Sequence, residues 1–289
     1  MPYLLAALSA LLWSGNFVVG KGASLVIPPI SLGYFRWLTA CIILLPFSYR
    51  LFKGQGKIIL ANKGYIVLIG LLGVAMFNTL IYTAVHYTSA INAILVNSFI
   101  PISILIVSFF MFGEKISLLK MLGILISFSG VIIVLTEGNP FLLFALNVNR
   151  GDILVLIAGF CWAFYSNLLK KYPKELNPVV FMQCIAVVGL IILTPFVMIE
   201  NFVLDKQIQI GVLTFFSIAY TGIFASLAAF LSWNRAVREV GASKVAPFIH
   251  LMPVFGSILA VIFLGETFAA YHFAGIAAVF SGIFLATKY

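Results

Sequence analysis

The sequence predicts an all-α integral membrane protein of ten transmembrane helices, arranged as two inverted five-helix repeats. Three observations carry this. Of the 289 residues, 63% are hydrophobic and only 9% charged, with a mean hydropathy of +1.17. A soluble domain of this length cannot hide so much apolar surface. The apolar stretches are helix-length, with no ten-residue alternation, so the spans form a helical bundle and not a barrel. Finally, the chain repeats itself. Residues 84–130 slide over 236–282 without a gap, bringing Ala84, Val85, Ala90, Pro101, Ile106, Gly113, Glu114, Gly123, Ile124, Phe128, Ser129 and Gly130 onto identical residues. A duplicated unit with an odd number of spans must insert its copies in opposite orientations, and inverted halves are the usual build of an alternating-access transporter.

The spans are expected at 2–20, 30–49, 64–84, 90–112, 118–136, 152–169, 178–199, 209–234, 242–264 and 270–287. Turn or charge signals mark the breaks: Pro28-Pro29, the stretch from Arg50 to Lys63, Gly113-Glu114-Lys115, Asn139-Pro140, Lys170-Lys171, Asn177-Pro178 and Glu266-Thr267. The chain starts almost directly with an apolar run and has no basic leader, so residues 2–20 read as a retained first span. The runner-up topology has nine spans, with that segment removed or interfacial. The polar stretch 137–151 joins repeat one (1–136) to repeat two (152–289), and one membrane domain covers 1–289.

With the N-terminus in the cytoplasm, Arg50, Lys53, Lys57, Lys63, Lys115, Lys120, Lys170, Lys171, Lys174, Arg235, Arg238, Lys244 and Lys288 fall inside. Only Lys21, Arg36, Arg150 and Lys206 fall outside or in the outer half of a span. The positive-inside rule then places both termini in the cytoplasm. Cys41, Cys161 and Cys184 all fall within spans and read as small apolar core residues.

Three sets of residues carry a resemblance. They are Trp13-Ser14-Gly15-Asn16-Phe17, Arg36-Trp37-Leu38-Thr39-Ala40, and Phe110-Met111-Phe112-Gly113-Glu114 followed by Gly123 and Gly130. The last set recurs as Ile262-Phe263-Leu264-Gly265-Glu266 with Gly275 and Gly282. On these the chain resembles the drug/metabolite transporter superfamily, specifically its EamA-type ten-helix exporters, over essentially its whole length. The resemblance implies inverted five-helix repeats, a central cavity and export of small metabolites or drugs.

Pro101 and Pro253 are repeat equivalents near the centres of spans four and nine. Each frees the carbonyl four residues earlier, at Asn97 and Ile249, and so predicts a kink lining the cavity. Glu114 and Glu266 form a second symmetric pair at span ends, read as interfacial anchors at a helix start or as gating ion-pair partners. At mid-depth the polar groups are neutral or aromatic: Ser9, Trp13 and Asn16, their counterparts Trp162, Tyr165 and Ser166, then Asn78 with Tyr82, and Asn97 with Ser98. Amides and hydroxyls beside rings suit a neutral or zwitterionic solute with a flat apolar part. The bland reading is helix-bridging and packing. His250 aligns with Ser98 and is the one candidate for proton uptake in the bilayer core, or else a packing histidine. Arg36 is a lone guanidinium within a span, placed to attract a carboxylate or phosphate or to satisfy a neighbour's carbonyls. Small-residue faces on spans five and ten predict that these two pack together.

The eight carboxylates, Glu114, Glu137, Asp152, Glu175, Glu200, Asp205, Glu239 and Glu266, all fall at span ends or in loops. A bare cation would meet no counter-charge at mid-membrane, which argues against a cationic-drug antiporter. Small multidrug resistance proteins, to which the fold is similar, rely on a buried glutamate that the first span replaces with Ser14 and Asn16. With no metal-ligand cluster and no placed catalytic base, an intramembrane enzyme is disfavoured. The expected function is export of amino acids or related zwitterionic or aromatic compounds. The alternative is a multidrug or nucleotide-sugar-like transporter coupled through His250. No cofactor and no nucleic-acid partner are implied; the partners are a small-molecule substrate and the lipid bilayer, and a monomer is expected to suffice.

Overall fold

The computed structural model describes residues 1–145, 149–264 and 269–288. Every regular element among them is helical. The long helices are α1 (Pro2–Ala23), α2 (Pro29–Leu51), α3 (Lys63–Ala84), α4 (Ala90–Asn97 then Ile100–Phe112) and α5 (Leu118–Leu135). The second set is α6 (Arg150–Lys171), α7 (Pro178–Val203), α8 (Val212–Val240), α9 (Ala242–Val245, Ala246–His250 and Leu251–Leu264) and α10 (Ala270–Lys288). Among the described residues, nine are long and apolar enough to cross a membrane. The remaining long helix, α1, runs 22 residues and buries Ala6, Ala10 and Trp13 inside the bundle.

Polar residues between the apolar runs start these helices. Ser89 and Ser117 accept the N–H of Asn92 and Lys120 at the heads of α4 and α5. Asn149 and Asp152 form a reciprocal capping box on α6, and Asn177 with Pro178 opens α7. The head of α2, which begins with prolines, is capped from outside. Glu200 of α7 accepts from the N–H of Ile30 (3.1 Å) and of Ser31 (2.7 Å), and from the Ser31 hydroxyl (2.8 Å). A carboxylate at a helix N-terminus is favoured by the local dipole.

The packing is two-fold. α5 lies along α10 and α2 along α7, while α1 packs on α8 and α9 as α6 packs on α3 and α4. α2 crosses α8 as α7 crosses α3. The α5–α10 seam is the closest approach. A Cβ added to Gly123 or Gly130 would strike the α10 backbone at Gly282 or Gly275, and the reverse holds for those glycines. The expected small-residue contact between these two spans is therefore observed, inside one chain.

Regularity fails at matching places in two helix pairs, and also in a π-helical stretch at Ile199–Val203 of α7. α3 contains a π-helical stretch at Gly70–Met76, and α8 one at Thr221–Ala228. α4 is interrupted at Ser98-Phe99, and α9 passes through a 3₁₀ segment at Ala246–His250. The expected mid-helix kinks are thus breaks. Pro101 sits in the first turn of the second α4 segment, where its missing N–H costs nothing. A short helix, Gly56–Ala61, also lies in the basic 50–63 stretch that was read as connection. α7 and α8 run on to Val203 and Val240, past the 199 and 234 expected.

Candidate functional site

Where α1, α3, α4, α6 and α9 converge, they line a partly open cavity of about 30 Å³. Its polar lining is Asn16, Asn78, Tyr82 and Asn97, and its aromatic wall is Trp13, Trp162 and Phe77. Ile81, Ile100, Ile249 and Met252 close the remainder. A second space, also of about 30 Å³, shares Asn97, Ile249 and Met252 with the first, and adds Ser14, Ser98 and Pro253. The composition suits a small solute with an apolar body and a few polar groups, although the space is narrow in this conformation.

The floor of the cavity is an aromatic cluster on the pseudo-two-fold axis. The repeat equivalents Trp13 and Trp162 meet edge to face, with ring centroids 5.1 Å apart. Phe230 and Trp233 of α8 pack against both, and Tyr165 stacks on Trp162 at 5.0 Å. Such contacts each add about 0.5–1.5 kcal/mol beyond area burial, so the floor is rigid. It is also hydrogen-bonded. A π-helical stretch disturbs the carbonyl ladder of its helix, and the Trp13 indole N–H donates to the Ala225 carbonyl in the one on α8 (3.0 Å). Asn78 donates to the Gly73 carbonyl in the one on α3 (3.3 Å). Below the floor, the Tyr165 hydroxyl donates to Asn234 (2.6 Å) and the Trp233 indole to Ser166 (3.1 Å).

Arg36 is completely buried one residue behind the cavity wall. Its Nε donates to the Ser226 hydroxyl at 2.6 Å, and its Nη1 to Asn78 Oδ1 (2.9 Å) and to the Tyr82 hydroxyl (2.6 Å). Tyr82 passes its own proton on to Asn16 Oδ1 at 3.1 Å. Three cavity-lining residues are thus oriented by one guanidinium.

His250 is fully buried and lines neither space. Its Nε2 lies 2.9 Å from the Ser98 carbonyl, which can only accept, so Nε2 carries a proton. Its Nδ1 pairs with the Ser127 hydroxyl of α5 at 2.7 Å. Both nitrogens are occupied, and the ring ties the α9 break to the α4 break and to α5. Tyr165 likewise faces Trp162 and Asn234 and not the cavity.

The end of the bundle bearing Lys170 is latched by Glu114. Gly113 ends α4 in the left-handed region (φ 63°), which glycine adopts without strain, and so turns Glu114 back toward the bundle. There Glu114 accepts from Ser108 of α4 (2.6 Å), Ser243 of α9 (2.7 Å) and Lys170 of α6 (2.9 Å). Partial burial pushes its pKa up, but those three hydrogen bonds and the Lys170 charge outweigh this and hold it at about 2. Glu266, its repeat partner, lies outside the described residues.

Most of the polar and aromatic candidates therefore share one cavity. The apolar members Phe77, Ile81, Ile100, Ile249 and Met252 left no signal, because nearly every neighbour in the sequence is equally apolar.

The EamA-like transporter family model matches residues 1–136 and again 149–288. The chain is 27% identical to an uncharacterized transporter, YyaM, of Bacillus subtilis, covering 94% of this chain and 91% of that one. It is 24% identical to a probable amino-acid metabolite efflux pump of Salmonella typhimurium, covering 97% and 93% respectively. A solved crystal structure superposes with a TM-score of 0.79 at 17% identity, covering 99% of this chain and 97% of the other, and so shares the fold. The chain belongs to the EamA-like transporter family: it is a multi-pass membrane transporter and not an enzyme.

Proposed function

We propose that the protein exports small metabolites, amino acids or related zwitterionic or aromatic compounds, across a bacterial inner membrane by alternating access. The observation that carries this reading is the cavity itself, with amides and a phenol on one side and indole rings on the other, at the junction of the two halves. The Salmonella relative, named for amino-acid metabolite efflux, supports the same class. The Lys170 end, where the basic residues gather, is the cytoplasmic end in this topology. Asn16 and Tyr82 lie in the second halves of α1 and α3, which run away from it, so in this reading they sit in the outer half of the membrane and the Glu114 latch lies at the inner end.

Among the described residues no carboxylate lines the cavity, so the reading includes no carboxylate relay for protons. Uptake of labelled amino acids and nucleosides into proteoliposomes, with and without a pH gradient, tests it. Equilibrating uptake of amino acids regardless of the gradient is the expected result. Gradient-driven accumulation, lost in His250→Ala, would overturn the energetic part. Uptake competed by nucleosides but not by amino acids would overturn the substrate class.

A further inference from the structure

Arg36 is a buried cation with no counter-ion among the described residues. A guanidinium has five N–H donors, and here three are used: one on Ser226, one on Asn78 and one on Tyr82. The remaining nitrogen, Nη2, is buried with no hydrogen-bond partner. The three acceptors are neutral, so they orient the charge without cancelling it. The Trp37 and Tyr82 rings, 5.9 and 5.8 Å from the guanidinium carbon, add only partial compensation. Among the described residues the ion pairs are Lys170–Glu114 and Arg235–Glu239, both partly exposed and neither involving Arg36. The two carboxylates buried elsewhere are spent: Glu200 caps α2, and Asp152 accepts from Thr88, Asn92 and the Asn149 backbone.

A positive charge left uncompensated in a membrane bundle is expensive, and such charges mark substrate or ion pathways. The cavity wall in front of this one is built from its own ligands, Asn78 and Tyr82. Beside them Asn97 offers an amide that has no protein partner among the described residues. Among the described residues, no acidic side chain lines the cavity to receive an ammonium.

Resting on the transport reading above, we infer that this cavity recognises its solute by a carboxylate, which supplies the counter-charge Arg36 lacks, and that an amino group on the solute is tolerated but not required. The ligand class is the small monocarboxylate with an apolar or aromatic body. Amino acids are one subset, their deaminated analogues are another, and amines and amides are excluded.

Equilibrium binding to the purified full-length protein in lipid nanodiscs tests this on two matched series. One is L-phenylalanine, 3-phenylpropionate and L-phenylalaninamide; the other is L-leucine, 4-methylpentanoate and L-leucinamide. In at least one series the two carboxylates should bind within about threefold of each other and the amide about tenfold weaker or worse, the effect of a counter-charge facing a buried cation one layer behind the wall. Arg36→Lys should keep that order with weaker binding, and Arg36→Met should abolish the preference. The wild-type comparison stands alone if either variant fails to fold. An amide that binds as well as its parent acid, or a carboxylate that needs the amino group to bind, would overturn the inference and leave the transport reading intact. Binding by no member of either series would overturn both.

Discussion

The α5–α10 seam and the cavity walls are built on opposite plans. α5 and α10 are uninterrupted helices locked by glycines at backbone contact, and neither lines the cavity. α3, α4 and α9 line it, and each departs from the α-helix at a place its repeat partner also departs. The difference teaches where this fold puts its irregularity. Close packing tolerates almost no displacement, so the seam serves as a fixed spine. Broken helices expose carbonyls that side chains can hold, and in a bilayer such backbone survives only beside protein or water. Three of the five helices that line the cavity carry such breaks, whereas α1 and α6 line it as regular helices.

Four variants can break or sharpen that contrast. The largest effect is expected from Gly282→Leu, since any Cβ there lies well inside van der Waals contact of the Gly123 carbonyl and the Ser127 backbone. Overpacking against backbone should cost about 3 kcal/mol or more, and folded protein recovered after detergent extraction should fall sharply. Normal yield would mean that the spine is looser than described. Next comes Trp162→Ala, which removes half of the cavity floor. Transport should drop at least about tenfold while membrane insertion, read by protease accessibility of the loops, is unchanged. Unchanged transport would remove Trp162 from the site.

Pro253→Ala should have a split effect. It restores a donor to the Ile249 carbonyl and favours a continuous α9. Thermal stability should shift by about 1 kcal/mol at most, whereas turnover falls; equal turnover would make the break a static bend. The smallest effect belongs to Glu114→Gln at the partly exposed latch. Its folded pKa of about 2 lies below the ordinary carboxylate value of 4.5. Its stabilising contribution is thus fully present above about pH 4.5 and lost as pH falls through about 2. The wild-type advantage in thermal unfolding should be under about 1 kcal/mol at neutral pH and shrink toward zero on acidification. A difference that persists at pH 2 would place the effect in shape and not in charge.

The helices were legible because each is a run of apolar residues ended by proline, glycine, asparagine or lysine, and the duplication gave a second sight of each break. The breaks in α4 and α9 showed through Pro101 and Pro253, although their form, a restarted helix, depends on which N–H groups find partners in three dimensions. The π-helical stretches left only a faint trace, glycines at 70, 73 and 222, because an extra residue in a helical turn changes no composition. At the site, residue type identified Trp13, Asn16, Asn78, Tyr82, Asn97 and Trp162 as candidates, and they do converge on one cavity. The positions of His250 and Tyr165 were not legible, since depth along a span says nothing about which face a side chain occupies. The capping role of Glu200 is of the same kind, made by a helix distant in sequence.

Asn78 makes one consequence concrete. When the repeats are slid over each other, Gly73 meets Ala225, and both carbonyls are hydrogen-bonded, but by different donors: an amide on the same helix for Gly73, an indole from α1 for Ala225. Asn78 is therefore three things at once: a cavity surface, an acceptor for Arg36 and a splint for its own backbone. An alanine scan at this residue would confound ligand contact with helix repair, and its loss of function would be uninterpretable as a binding energy. The copies have shared a backbone shape while dividing the labour of maintaining it, so equivalent positions in the two halves are not interchangeable controls for one another.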